Sequence, residues 1–116
     1  MDVRRIRAGP RMSQAVVHGG VVYLAGQVAK HRDEDVAGQT RQVLAAVDEL
    51  LAEAGSDKTR ILAATVWLAR MGDFDAMNAV WDPWVPAGEA PARACVESKL
   101  AREDILVEIR VIAAVR

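Results

Sequence analysis

The spacing of apolar and polar positions divides the chain into short strands and two helices. Gln14 to His18 and Val21 to Gly26 each alternate as strands, and Gly19-Gly20 between them supplies the positive φ angles of a two-residue hairpin turn. From Val36 to Ala54 the apolar residues Val43, Val47, Leu50, Leu51 and Ala54 recur at helical spacing, and Gly55 marks the stop. Arg60 to Ala69 is a nearly continuous apolar run, short and β-branched enough to predict a strand buried on both faces. Gly72-Asp73 opens a second helix carrying Phe74, Met77, Val80, Trp81 and Trp84. Asp73 or Asp75 is placed to cap it, and Pro83 to kink it or end it early. Two alternating runs follow, Pro91 to Val96 and Leu106 to Ile112, joined by the polar segment Ser98 to Asp104. There is room for one more short strand at Val3 to Arg7.

The resulting order, β-β-α-β-α-β-β, implies an α+β sheet with helices packed on one face. The other face needs a cover, and the pattern offers no third helix. Self-association is the simplest cover.

Composition narrows the function more than the fold. The 116 residues make one domain, 1–116, with a single core. A net charge of -1 argues against a dedicated nucleic-acid binder, because acidic residues elsewhere offset the basic N-terminal group Arg4, Arg5, Arg7 and Arg11. Cys95 is the single cysteine, which excludes an internal disulfide and suits a reducing compartment. With no run of transmembrane length and no signal-peptide core after Met1, a cytoplasmic protein without membrane contact is expected. His18 and His31 are the only histidines and neither belongs to a ligand cluster, so no metal is expected. No phosphate-cradling loop, dinucleotide fingerprint or nucleophile elbow is present, and no cofactor is expected.

The chemistry-bearing positions lie in the last two strands. Arg93 shares a strand face with Cys95, and Glu108 sits between Val107 and Ile109, which must point the other way. A desolvated arginine offers a rigid fork of donors that fits a carboxylate through two parallel hydrogen bonds. A partly buried glutamate has a raised pKa and can handle protons near neutrality. Together they would hold a small carboxylate and activate water beside it. The alternative is a structural ion pair, the commoner fate of buried charges, and spacing alone favours it.

Gly9-Pro10, Ser13-Gln14-Ala15-Val16, Tyr23-Leu24-Ala25-Gly26-Gln27, Asn78, Pro91-Ala92-Arg93-Ala94-Cys95-Val96 and Val107-Glu108-Ile109 resemble, in order and spacing, the Rid (YjgF-type) reactive-intermediate deaminases. The likeness runs from Gly9 to the C-terminus, and the stretch from Thr65 to Asp82 is closest to the YoaB-like branch. The resemblance implies a chorismate-mutase-like mixed sheet with two helices on one face, assembled as a homotrimer with ligand sites in the clefts between subunits. It implies that a strand separates the last two, although a plain hairpin reading would pair them and set Arg93 opposite Glu108.

The activity implied is hydrolysis of 2-imino and enamine acids to 2-oxo acids and ammonia, as in a 2-iminobutanoate/2-iminopropanoate deaminase. Arg93 matches the arginine that grips the substrate carboxylate, Glu108 the glutamate that orients or activates water, and Cys95 a cysteine lining the pocket. For Cys95 simple packing is the stronger reading. Gly26 matches a segment that closes the cleft. Two positions depart from the archetype, which carries a tyrosine after the Gly-Pro and a serine before the Gly-Gln. Here they are Arg11 and Ala25. Arg11 adds a second cation suited to a larger or more anionic ligand, or neutralises an acidic neighbour. Ala25 removes a hydroxyl from the substrate-binding segment.

Two other functions remain open: non-catalytic sensing of 2-oxo acids or similar carboxylates in the same cleft, and the endoribonuclease or translation-inhibitor activity ascribed to some relatives. Trp81 and Trp84 would serve the last as base-stacking platforms. At helical spacing beside Met77 and Phe74, core or interface packing fits them better.

Overall fold

The computed structural model describes residues 2–116. It contains β1 (Arg4–Ile6), β2 (Ala15–His18), β3 (Val21–Leu24), α1 (Val36–Glu53), β4 (Ile61–Leu68), α2 (Phe74–Trp84), β5 (Ala92–Glu97) and β6 (Val107–Ala114). The strands form one six-stranded sheet in the order β1-β2-β3-β6-β4-β5. β4 and β5 are parallel because α2 crosses between them, and the other pairs are antiparallel. β4 therefore separates the last two strands, which do not pair with each other as a hairpin would require.

Both helices lie on one face. Val43, Leu44, Val47, Leu50 and Leu51 of α1, with Met77 and Trp81 of α2, bury against Val22, Leu24, Val66, Leu68, Val107, Ile109 and Val111 of the sheet. Asp35 caps α1, its side chain accepting from the Gly38 N–H at 2.9 Å. Gly19 (φ 59°) and Gly20 (φ 78°) make the hairpin turn at the angles that favour glycine. Buried Gln39 donates to the carbonyls of Glu34 and Asp104 and accepts from the Leu106 N–H, tying the segment before β6 to the start of α1.

Two local expectations are corrected. β4 is buried on one face only: Leu62 is 51 % exposed and Ala63, Thr65 and Trp67 are half-buried, because no helix packs on that side. Asp73 stands at the cap position of α2 without a side-chain bond. Its backbone (φ -87°, ψ 1°) already turns with the preceding 3-10 segment Met71–Asp73, away from the extended geometry a cap needs. The Glu97 side chain instead accepts from the Met71 N–H at 2.9 Å. The early end expected at Pro83 is present, since Pro83 lies in the last turn of α2, which stops one residue later.

Candidate functional site

Arg93 projects from edge strand β5 toward the helices, in register with buried Ala64 of β4. Phe74, Asn78 and Trp81 recur at helical spacing along one side of α2 and form its seat. The Arg93 Nη1 donates to Asn78 Oδ1 at 2.8 Å, and the guanidinium lies 5.0 Å from the Trp81 ring centroid and 5.9 Å from that of Phe74. No carboxylate among the described residues reaches it. Cys95 follows on the same side, half-buried. Burial pushes its thiol up, only partly opposed by the charge of Arg93, so it is not a ready thiolate.

Glu108 occupies the opposite face of the sheet. It pairs in register with Trp67 of β4, while its neighbours Val107 and Ile109 point into the core. Burial raises the Glu108 carboxyl above the ordinary glutamate range. The expected charge alternation is present, yet within one chain Arg93 and Glu108 do not meet. The structural ion pair is overturned, and so is a site made by both residues of a single chain. The physical reason is parity: the pairing registers put the two side chains on opposite faces, with β4 between their strands.

Beside Glu108 the end of β3 is irregular. Tyr23 pairs with Ile112 and Gln27 with Ile109, so four steps on one strand oppose three on the other. The extra residue makes a bulge at Ala25-Gly26, a feature that sheets place at rims and binding sites. The Ala25 N–H donates to Gln14 O, and the Gln27 side chain donates to Gln14 Oε1 at 3.0 Å, which fixes the bulge to the preceding loop. Any side chain at position 26 would collide with the Glu108 carboxylate as it is placed here, so glycine leaves that carboxylate its position. The Gly26 N–H has no protein acceptor among the described residues.

The remaining candidates are dispersed. Arg11 is exposed on the loop between β1 and β2, with no acid in ion-pair reach among the described residues, so the neutralising reading finds no partner. His18 and His31 are exposed. No group of three or more potential metal-ligating His, Cys, Asp or Glu exists among the described residues, and no helix among them is long and apolar enough to cross a membrane. Trp81 is buried, and half-buried Trp84 donates to Asp48 of α1 at 3.0 Å, so both belong to helix packing. Sequence reasoning did not give Asn78 its role as acceptor for Arg93. The available signal was a polar residue on the apolar side of α2.

The bare sheet face continues around Glu108. Tyr23 (40 % exposed), Leu62 and Val96 (44 %) surround half-buried Trp67 and Ile112, a broad apolar surface interrupted by Arg110 and Glu108.

Comparison with known proteins places this architecture. The family model described as Endoribonuclease L-PSP matches residues 3–115. The RutC family protein YoaB of Escherichia coli K12 is 44 % identical over 115 residues, covering 99 % of this chain and 100 % of the relative. A RutC family protein of Haemophilus ducreyi is 43 % identical over 113 residues, covering 97 % of each. The crystal structure of a YjgF-family member from Neisseria meningitidis superposes with a TM-score of 0.97 at 49 % identity, covering 100 % of this chain and 97 % of that one. The mixed sheet, its two helices on one face and its sequence thus make this chain a member of the endoribonuclease L-PSP (YjgF/Rid) family, of the YoaB-like kind.

Proposed function

We propose that the chain hydrolyses reactive 2-imino and enamine acids to 2-oxo acids and ammonia, in clefts between the subunits of a homotrimer. The observation that carries this reading is the placement of two partly desolvated, unneutralised charges of opposite sign on opposite faces of one sheet. They can act together only if one copy supplies Arg93 and a neighbour supplies Glu108. The apolar bare face is suited to closing on further copies.

In that cleft Arg93, steadied by Asn78 and two aromatic rings, holds the substrate carboxylate through its planar fork. Glu108, with its raised pKa, takes a proton from water as the oxygen attacks the C=N carbon. Glu108 returns that proton to the imine nitrogen. The carbinolamine collapses as its hydroxyl proton passes through Glu108 to the same nitrogen, forming the C=O bond and breaking the C–N bond to release ammonia. Ala25 offers no hydroxyl, so at that wall the free Gly26 N–H is the polar group that remains. The test is release of 2-oxo acid and ammonia from a freshly generated 2-imino acid, with the particle mass measured in the same buffer. Acceleration by a three-chain particle, lost in Arg93→Ala, is expected. An inactive wild type that still binds 2-oxo acids would make the protein a sensor instead.

A further inference from the structure

Where the ladder between β3 and β6 breaks, one peptide group of the bulge is held at both ends. Regular pairing stops with Tyr23 opposite Ile112 and resumes with Gln27 opposite Ile109. In that gap the Arg110 Nε donates to the Leu24 carbonyl at 3.3 Å. The N–H of the same peptide, on Ala25, donates to the Gln14 carbonyl at 2.9 Å. The next peptide is tied at one end only. Its carbonyl, on Ala25, accepts from the Gln27 side chain at 3.0 Å, and its N–H, on Gly26, has no protein acceptor among the described residues. The third is fixed again, since the Gln27 N–H donates to the Ile109 carbonyl at 2.8 Å. Without such ties a bulge containing glycine would rotate cheaply, because glycine lacks the Cβ that restricts other residues.

Arg110 stands on the bare face two positions after Glu108, in register with Thr65 of β4, on a surface otherwise made by Tyr23, Trp67 and Ile112. No acid among the described residues is in ion-pair reach of it, Glu108 included. The bond to Leu24 is the one hydrogen bond its side chain makes among the described residues. β6 therefore carries both the proposed proton acceptor and, next along the same face, the side chain that holds the peptide leading into Gly26. The Gly26 backbone abuts the Glu108 carboxylate, so a rotation of the bulge moves the wall against which that carboxylate rests.

We propose that Arg110 is a positioning residue: by holding the Leu24–Ala25 peptide it keeps the bulge in the form that leaves the Gly26 N–H free and Glu108 seated beside it. Its kinetic consequence rests on the deaminase reading, whereas the geometry does not. The test is amide hydrogen exchange followed by NMR, with particle mass and turnover, on intact wild type, Arg110→Met and Arg110→Lys. Methionine removes both the donor and the charge, while lysine keeps the charge and loses the Nε donor. In both variants the Ala25 amide should exchange at least about ten-fold faster, the equivalent of one charge-assisted bond. Core amides such as that of buried Val66 should keep the wild-type rate. Arg110 is exposed, so fold and particle mass should be those of wild type. In an active enzyme kcat should fall by about ten-fold or more in both variants, with KM little changed because Arg93 is untouched. The proposal is overturned if Ala25 exchanges at the wild-type rate in Arg110→Met, if Arg110→Lys behaves as wild type, or if core amides speed up equally. It is overturned too if the particle mass changes, or if an active enzyme keeps its kcat or loses through KM. A wild type without turnover would remove the deaminase reading alone, and Ala25 exchange would still decide the role of Arg110.

Discussion

On the helix-covered face, Arg93 is held by a neutral amide and two aromatic rings. On the bare face, Glu108 is packed against Trp67 and glycine with no protein donor among the described residues. The difference lies in what each surrounding does for the charge. A cation over aromatic faces is stabilised by roughly 0.5–2 kcal/mol per contact without being neutralised. A carboxylate moved out of water without a partner is destabilised, which is why its pKa rises. Had the two met within one chain, the arginine would have lowered the glutamate's pKa and the glutamate would have filled the fork needed for substrate. Their separation by one strand and one change of face keeps both functions available.

Replacing Glu108 should give the largest effect. Glu108→Gln keeps the shape but removes the proton acceptor, so kcat should fall by about 10²–10⁴-fold with KM little changed. In wild type the rate should rise with pH through a midpoint above the ordinary glutamate range, and the profile should flatten in the variant. Arg93→Lys should be nearly as damaging as Arg93→Ala, mainly through KM, because an ammonium cannot replace a planar fork. Mixing gives the sharper test of the comparison. Arg93→Ala and Glu108→Gln chains, each inactive alone, should regain activity when unfolded and refolded together in equal amounts. Random assortment in a three-fold ring leaves about a quarter of the clefts with both native residues. No recovery would mean that the two residues do not share a site across subunits.

Gly26→Ala should follow in size. The new methyl group displaces the Glu108 carboxylate, and a shift of that scale costs about 10²-fold in rate. The colliding atoms belong to a side chain that can swing aside, so the melting temperature should barely move. A large loss of stability would make Gly26 a folding residue instead. Arg11→Tyr is the milder change. If Arg11 reaches the cleft as a second cation, wild type should prefer dicarboxylic to monocarboxylic 2-oxo acids by about ten- to a hundred-fold, and the variant should not. Identical rankings in a competition series would assign Arg11 to solvent.

Most of the fold was legible because it follows from local pattern. The Gly19-Gly20 turn, the apolar stripe of α1 stopping at Gly55 and the alternation of β6 each need only neighbouring residues. The sheet order was not local. Adjacent β5 and β6 suggest a hairpin, and only the parallel crossover through α2, implied by the family resemblance, inserts β4 between them. β4 misled for a related reason: its continuous apolar run suits two covered faces, yet one chain covers only one. In the site, the parity of Arg93, Cys95 and Glu108 could be read directly. That Arg93 and Glu108 face opposite ways could not, because it depends on registers across three strands. The bulge at Ala25-Gly26 was hidden too, since an extra residue in a ladder appears only when both strands are aligned.

The smallest expected effect tests the comparison through stability. Because the folded-state pKa of Glu108 is raised, the native state favours the protonated acid. Its favourable contribution is complete below the ordinary glutamate pKa and is lost as pH rises through the raised value. At neutral pH the ionised side chain is therefore a liability that glutamine does not share. Glu108→Gln should melt higher than wild type at pH 7, by on the order of 2 °C because the carboxylate is only partly shielded from water, and the gap should close below about pH 4. Paired thermal melts across that window measure it. A variant that melts lower than wild type at pH 7 would mean that the ionised carboxylate has a cation across a subunit interface. Glu108 would then be satisfied by assembly, and the contrast with Arg93 would hold only for the isolated chain.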